Sequence, residues 1–531
     1  MSVHFQCHDR SVIKQALERE VFDLAVIGGG ITGAGIARDA AMRGLKVALI
    51  EAQDFASGTS SRSSKMIHGG LRYLLKGDIP VVKESASERK IVHHIAPHLV
   101  EKSPFIVTTS SWIDEMVLRL ALTVFEFLGG VDAQDRHVVW SHQELAKHEP
   151  SMSLKGLRGA VVYPEYLTDD ARLTIANIRS AAEHGAVLTN YLKVIGIQKT
   201  DVFHLSCQTQ LPDDNTSVTV KAASVVNAAG PWIDRVGQLE SKEQISRLVL
   251  SRGIHVVVAN ARLPISNTVV MTTPDKRRIF AVPKGGFTYL GTTDDLYPET
   301  DYWPDVDGKD VDYLFETTNK LFNTPDLTSA DIVSVWSGIR PLLVNAADPE
   351  NQHKKSTEMS RKDEVWFGPL GMLSIGGGKL SAYRAMAERI VDKVIATYQF
   401  KAGPCQTHVI PLPGGYCSEK NSSDLDQTTL SRWGAMYGSD LITISSMGTG
   451  LEAEVKFAVQ YEGAMRLEDY WVRRSSRAWF DHSAGLACLR PAAIVMGALL
   501  GWSKERIESE IAHCVDIDKQ SKQFLAHEKR L

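Results

Sequence analysis

The most chemically suggestive residues in this sequence are its glycines. Residues 28–35 read GGGITGAG, so Gly28, Gly30 and Gly33 fit a G-x-G-x-x-G spacing directly after an apolar run and at the start of a helical pattern. At that spacing Gly28 permits a tight turn, Gly30 lets the backbone approach a pyrophosphate, and Gly33 lets helix and strand pack closely. The helix N-terminus then turns its unpaired N–H groups toward the phosphates. A second apolar run, 46–50, ends at Glu51. It falls about 20 residues on, where a carboxylate accepts from the adenosine ribose hydroxyls and repels a 2′-phosphate. The pattern reads as a site for NAD or FAD and against NADP.

The following segment separates these two. Residues 52–74, AQDFASGTSSRSSKMIHGGLRYL, extend small and hydroxyl-bearing residues far past the second run. FAD is longer than a mononucleotide half and needs such a path, and Thr59, Ser60, Ser61 and Ser63 suit its phosphates and ribityl oxygens. A second glycine cluster, SIGGGKLSAYR at 374–384, precedes a helical pattern. A helix N-terminus there, with Lys379 beside it, suits the negative charge that a reduced flavin gathers near N1. FAD is the expected cofactor.

These residues need elements to hold them. A strand over 23–27, a helix over 33–43 capped by Gly44 and a strand over 46–50 make a βαβ unit, which implies a parallel sheet. Residues 56–65 read as a loop and 81–94 as a helix. A strand over 218–226 runs into NAAGPW, and 248–296 alternates short β-rich runs with turns, as an antiparallel sheet does. Residues 331–339 suit a strand or loop near the site. A short strand at 372–375 precedes a long amphipathic helix to about 398. The expected fold class is α/β: a FAD-binding Rossmann-like domain with an antiparallel-sheet substrate domain, followed by a C-terminal all-α domain. The expected division is an N-terminal extension, 1–20; an oxidoreductase region, 21–402; a Pro/Gly/Ser-rich linker, 403–428; and a helical domain, 429–531. Within the oxidoreductase region, 21–95, 155–240 and 332–402 bind FAD, while 96–154 and 241–331 form the substrate part.

Composition sets limits. Of 531 residues, 44% are hydrophobic and 23% charged, as in globular proteins. A net charge of −4 provides no global basic field for nucleic acid. The six cysteines are scattered without a CxxC pair, which argues against zinc and for reduced thiols; no metal is expected. The polar N-terminus has no apolar h-region, so no secretory signal is expected. The nearest approach to a membrane span is 112–128, interrupted by Asp114, Glu115, Arg119 and Glu126. It reads as an amphipathic or buried helix with room for a membrane-surface or partner contact.

With these residues read, the stretch from GGGITGAG through HGGLRYL closely resembles the flavin-dependent glycerol-3-phosphate dehydrogenases. Further matches follow in order: TDDARL at 168–173, NAAGPWID at 227–234, RGIHVVV at 252–258, GTTDDLY at 291–297, SGIRPL at 337–342 and GGGKLSAYR at 376–384. The tail, with EAEVKFAVQYEGAMRLEDYWVRR at 452–474 and LLGWS at 499–503, resembles that family's C-terminal domain. The resemblance covers nearly the whole chain beyond its first twenty residues. GVDAQDRHVVWSH and the DKRRIF segment at 275–280 carry no family signature.

The resemblance implies oxidation of sn-glycerol 3-phosphate at C2 to dihydroxyacetone phosphate, with hydride passing to flavin N5 and electrons leaving to a membrane quinone. It implies noncovalent FAD, a peripheral location on the cytoplasmic face of the membrane, and leaves a homodimer open. FAD contacts fall on Gly28, Gly30, Ile31, Thr32, Gly33, Glu51, Ala52, Thr59, Ser60, Ser61, Ser63, Lys65, His68, Gly69, Gly70, Ala229, Gly230, Gly338, Gly378, Lys379 and Leu380. Arg72, Arg340 and Lys379 hold the phosphate or polarise substrate oxygens, and Tyr73 donates to substrate. Arginine suits phosphate because its guanidinium binds two oxygens at once. Alcohol oxidation also needs a base for the hydroxyl proton, and His255 is the best candidate because an ordinary histidine titrates near neutrality. Asp294 either orients a partner or caps a turn. Oxidases that reduce oxygen carry the same flavin motifs, and amine or amino-acid oxidases share the scaffold.

Overall fold

The computed structural model describes residues 9–68, 79–212, 214–243, 246–343, 363–416 and 425–528. Gly69, Gly70, Arg72 and Tyr73 lie outside these residues.

The first sheet grows from the βαβ unit. Val21–Ile27, Val47–Ile50 and Val187–Thr189 pair in parallel on one side, and Ser217–Asn227 and Leu373–Gly376 continue in parallel on the other. Glu364–Phe367 closes one end antiparallel, and Phe203–Thr209 with Leu192–Lys199 pairs onto Ser217–Asn227. Val47–Ile50 is apolar and buried along its length, as a strand covered on both faces is. Helices Ile31–Met42, Asp170–Glu183 and Tyr383–Tyr398 cover one face, with Val26, Ala37, Ile178 and Ile390 buried between the layers. The other face packs on Phe203, Leu205 and Leu17. Leu17 belongs to helix Arg10–Arg19, so much of the expected extension is a structured element. The long helix after the second glycine cluster does not begin at the glycines. A single 3-10 turn, Leu380–Ala382, intervenes.

The second sheet has ten strands. It is antiparallel except where Thr268–Thr272 runs parallel to Val100–Thr109. Gly159–Thr168 and Ile332–Leu343, expected among the FAD-binding parts, pair in this sheet with Val100–Thr109 and Leu248–Ala259 respectively. Long-range pairing decides which sheet a β-rich run joins, and local patterning is silent on it.

The C-terminal helices pack as a third unit against the second sheet and against helix Asp170–Glu183 of the first. Buried ion pairs join it to the first: Asp54 Oδ2 lies 2.5 Å from both Arg473 Nε and Arg474 Nη1, and Arg172 Nη1 lies 2.6 Å from Glu462. Burial works against the Asp54 carboxylate, but Arg474 and Arg473 outweigh it and hold its pKa below the usual range. One segment here, His482–Leu500, is long and apolar enough to cross a membrane by length and composition, a stretch the sequence reading passed over. Left-handed backbone at Ser483 and Ala484 breaks it, and Leu489, Ala492, Ala493 and Met496 are buried in the core.

Candidate functional site

A cavity of about 800 Å³ runs along the C-terminal ends of the parallel strands and on beneath the second sheet. At one end the glycine turn forms it. A Cβ on Gly33 would sit 1.9 Å from the Gly28 oxygen, and one on Gly28 would meet the Ala228 oxygen at 2.6 Å. Only glycine allows helix Ile31–Met42 to close on the strand this tightly. Gly30 caps that helix with no side-chain bond. Glu51 is buried and accepts from Gly29 N at 2.6 Å and Gln53 N at 2.8 Å. Burial raises its pKa, opposed by those backbone donors. The carboxylate therefore braces the glycine turn as well as facing the cavity.

The loop 52–68 wraps the middle of the cavity, and Thr59, Ser60 and Ser63 line it. The Ser60 hydroxyl accepts from Ile31 N at 2.9 Å, and Thr59 Oγ1 donates to the Ile339 oxygen at 2.7 Å. Ser61 and Lys65 do not line the cavity. Both are buried, and Lys65 Nζ lies 2.6 Å from Asp170. Their role is to brace the loop from behind. Ala56 and Lys65 adopt positive φ, an uncommon backbone state that ordered functional loops retain. Gly30, Ile31, Thr32, Ala52, Ser63, His68, Ala229, Gly230, Gly338, Gly378, Lys379 and Leu380 all reach the cavity. Gly33 acts through packing alone. A Cβ at Gly230 would meet nothing, which leaves this wall open to a ligand.

The other end is set by strand register. His255 lies opposite Trp336 and Gly291, and Ser251 lies opposite Arg340. A Cβ on Gly291 would meet the His255 ring at 2.1 Å, and one on Gly253 would meet Arg340 Nη2 at 2.2 Å. These two glycines make room for the two side chains. Arg340 is held firmly: Nη1 is 3.0 Å from Asp294, and Nη2 donates to Thr292 Oγ1 at 2.7 Å and to the Thr293 oxygen at 3.1 Å. Asp294, which also accepts from Ser251, orients Arg340. With much of its fork engaged, Arg340 is a fixed positive charge at the cavity wall. His255 stacks on Trp336 with centroids 4.8 Å apart and is 2% exposed. Burial, then Arg340 and Lys65, push its pKa well below the ordinary value, which corrects the expectation of a group titrating near neutrality.

The sequence reading missed Ser64, which bonds His255, and the segment at 300–303. Tyr302 stacks on Trp232 at 4.4 Å, and the Arg62 guanidinium lies 4.0 Å from the Trp303 ring. The aromatic residues of TDYWPD were the available signal. Among the described residues no cluster of His, Cys, Asp and Glu suits a metal.

The FAD dependent oxidoreductase family matches residues 23–384, and the C-terminal domain of alpha-glycerophosphate oxidase matches 405–507. The aerobic glycerol-3-phosphate dehydrogenase of Staphylococcus aureus (strain USA300) is 36% identical, covering 94% of this chain and 95% of the relative. The glycerol-3-phosphate dehydrogenase of Bacillus halodurans, solved with FAD, superposes with a TM-score of 0.81 at 29% identity over 98% of this chain and 99% of that one. The L-alpha-glycerophosphate oxidase of Mycoplasma pneumoniae, at 18% identity and a TM-score of 0.56 over 74% of this chain and 99% of that one, shares the fold.

Proposed function

This chain belongs to the FAD dependent oxidoreductase family, and we propose that it oxidises sn-glycerol 3-phosphate to dihydroxyacetone phosphate and passes the electrons to a membrane quinone. The observation that carries the substrate reading is the joining of two ends in one cavity. A glycine turn with Glu51 suits the adenosine half of noncovalent FAD, and a cationic end with Arg340 and Lys379, beside the neutral His255, suits a phosphorylated alcohol. The donor set fits the cofactor: Gly30 offers an uncapped helix N-terminus, and the open wall at Gly230 admits a long ligand. Bound FAD supplies the hydride acceptor. The chain's own residues do the rest. Arg340 and Lys379 attract the phosphate and hold the carbinol oxygen as charge develops on it. His255, neutral at ordinary pH, receives the hydroxyl proton. Arg72 and Tyr73, outside the described residues, join this set by motif.

A quinone acceptor requires the protein to reach lipid, and peripheral attachment suits it. Helix Trp112–Leu128 supports this reading by exposing Trp112 at 58%, Leu120 at 66% and Phe127 at 86% on one element. High salt or mild detergent is expected to release the protein from membranes; a requirement for full bilayer solubilisation counts against peripheral attachment. Acid denaturation is expected to release FAD, and recovery of FMN contradicts the adenosine role of Glu51.

The deciding experiment is an anaerobic titration. Glycerol 3-phosphate is expected to bleach the flavin and a quinone to restore it. A flavin that glycerol 3-phosphate leaves oxidised overturns the substrate reading. The match of 405–507 to an oxidase's C-terminal domain favours oxygen as the second reading of the acceptor. Stoichiometric peroxide under turnover selects it.

A further inference from the structure

His255 lines the cavity with a ring that is almost wholly buried. Its ring lies against Trp336 on one side, with Tyr289 edge-on at 6.3 Å. Its Nδ1 is buried and has no hydrogen-bond partner among the described residues. Its Nε2 lies 2.9 Å from Ser64 Oγ. Nδ1 is buried, and a substrate hydroxyl in the cavity finds Nε2 already bonded to Ser64, which lines the cavity beside it.

Ser64 is half-buried and lines the cavity. Its backbone is fixed on several sides. Tyr289 Oη donates to the Ser64 oxygen at 3.1 Å, and Trp336 Nε1 donates to the Ser63 oxygen at 3.3 Å. Ser63 N donates to Asp170 Oδ2 at 2.9 Å, and Lys65 N donates to Ser63 Oγ at 3.0 Å. The aromatic residues that pack on His255 thus also hold the serine against it. A hydroxyl donates and accepts at once, so one oxygen can take a proton from the cavity side and give one to the ring.

We propose that Ser64 is a catalytic residue that relays the substrate's hydroxyl proton to His255. The inference rests on the alcohol-oxidation reading above. As hydride leaves C2 with its electron pair to the bound flavin, the substrate O–H breaks and C2–O becomes a carbonyl. Ser64 Oγ gains the substrate proton and releases its own, and His255 Nε2 forms the new N–H bond. The substrate loses two electrons, one hydride to the cofactor and one proton to the imidazole, and Ser64 ends as it began. Because burial, Arg340 and Lys65 keep His255 neutral beforehand, Nε2 has a lone pair to offer.

The test compares wild type with Ser64→Ala, Ser64→Thr, His255→Ala and the double variant Ser64→Ala/His255→Ala, all as full-length, FAD-loaded protein. Anaerobic stopped-flow gives the rate constant for flavin reduction at saturating glycerol 3-phosphate, and FAD affinity is measured separately by fluorescence titration. Ser64→Ala is expected to slow reduction by about 10²- to 10⁴-fold, the usual worth of a positioned acid–base group. Its FAD affinity stays unchanged, and Ser64→Thr restores most of the rate. The double variant is expected to be no slower than His255→Ala, because residues acting as a unit are not additive. In protein labelled with ¹⁵N-histidine, Ser64→Ala is expected to shift the His255 Nε2 resonance. Reduction of Ser64→Ala at the wild-type rate overturns the relay, as does a double variant that multiplies the two losses. A loss of FAD affinity in Ser64→Ala that accounts for the slower rate makes the serine a cofactor contact and also overturns it. A wild type that glycerol 3-phosphate does not reduce defeats the substrate reading, which is a separate failure.

Discussion

The two ends of the cavity are built on opposite principles. The adenosine end comes from one continuous stretch, 21–51, and presents mainly backbone: a glycine turn, a helix N-terminus and a carboxylate tied to Gly29 N and Gln53 N. The substrate end comes from three distant strands and presents side chains. Ser251, His255, Gly291 and Arg340 meet only because Leu248–Ala259 pairs with both Phe287–Gly291 and Ile332–Leu343. Their pH behaviour differs as well. Burial raises the Glu51 pKa, so the stability of that end falls as pH rises from the unfolded value through the raised one. Burial lowers the His255 pKa, so the substrate end loses stability as pH falls. A backbone site therefore tolerates changes elsewhere in the chain, while a side-chain site depends on the register of a whole sheet.

The largest expected effect tests the backbone end. Gly33→Ala places a Cβ 1.9 Å from the Gly28 oxygen, so the helix must leave the strand and the protein is expected to purify without flavin. Full flavin absorbance in this variant removes the close-packing argument. Glu51→Gln comes next. Losing a charge-assisted bond is worth about 1.5–3 kcal/mol, so the Kd for FAD is expected to rise by about one to two orders of magnitude in fluorescence titration. An unchanged Kd means that Glu51 only braces the turn.

Arg340→Lys sharpens the contrast. Lysine keeps the charge but cannot reproduce the fork that holds Asp294, Thr292 and the Thr293 oxygen. Steady-state kcat/KM for glycerol 3-phosphate is expected to fall by about one to two orders of magnitude with FAD affinity unaltered. Glycerol, a poor substrate, is expected to be little affected. Equal losses on both substrates assign Arg340 to the carbinol oxygen and not to the phosphate.

The smallest effect concerns protons. His255 stays neutral in the fold, while the unfolded chain protonates it below about pH 6.5. The unfolded state then binds more protons, so stability falls as pH drops from 7 toward 5, by at most about 1.4 kcal/mol per pH unit for each such group. His98, pushed down to about 3 by burial with help from Arg172 and Arg179, adds a second contribution of the same sign. Urea unfolding of FAD-free protein is expected to show a shallower pH dependence in His255→Asn than in wild type. An identical slope means that His255 ionises within the fold.

The adenosine end was legible because its physics is local. Strand, tight turn, helix start and terminal acid each leave a mark within thirty residues, and a glycine required by steric contact cannot be disguised by another side chain. The hydroxyl-rich loop was legible as a loop but not in its wiring. Nothing in TSSRSSK reveals that Ser60 turns to Ile31, that Lys65 pairs with Asp170 or that Ser64 faces His255.

The sequence by itself determined the dinucleotide turn, the acid that serves it, the alternation that makes a second sheet and the cationic residues in their motifs. Only the tertiary structure decided that His255 is buried and neutral, that Asp294 anchors Arg340 and that Arg473 and Arg474 close over Asp54. The physical reason is distance along the chain. Pairing between Ser251 and Arg340, or between Asp54 and Arg474, joins segments whose local patterns are satisfied equally well apart. Burial and charge balance, which set the chemistry, exist only once those segments are packed together.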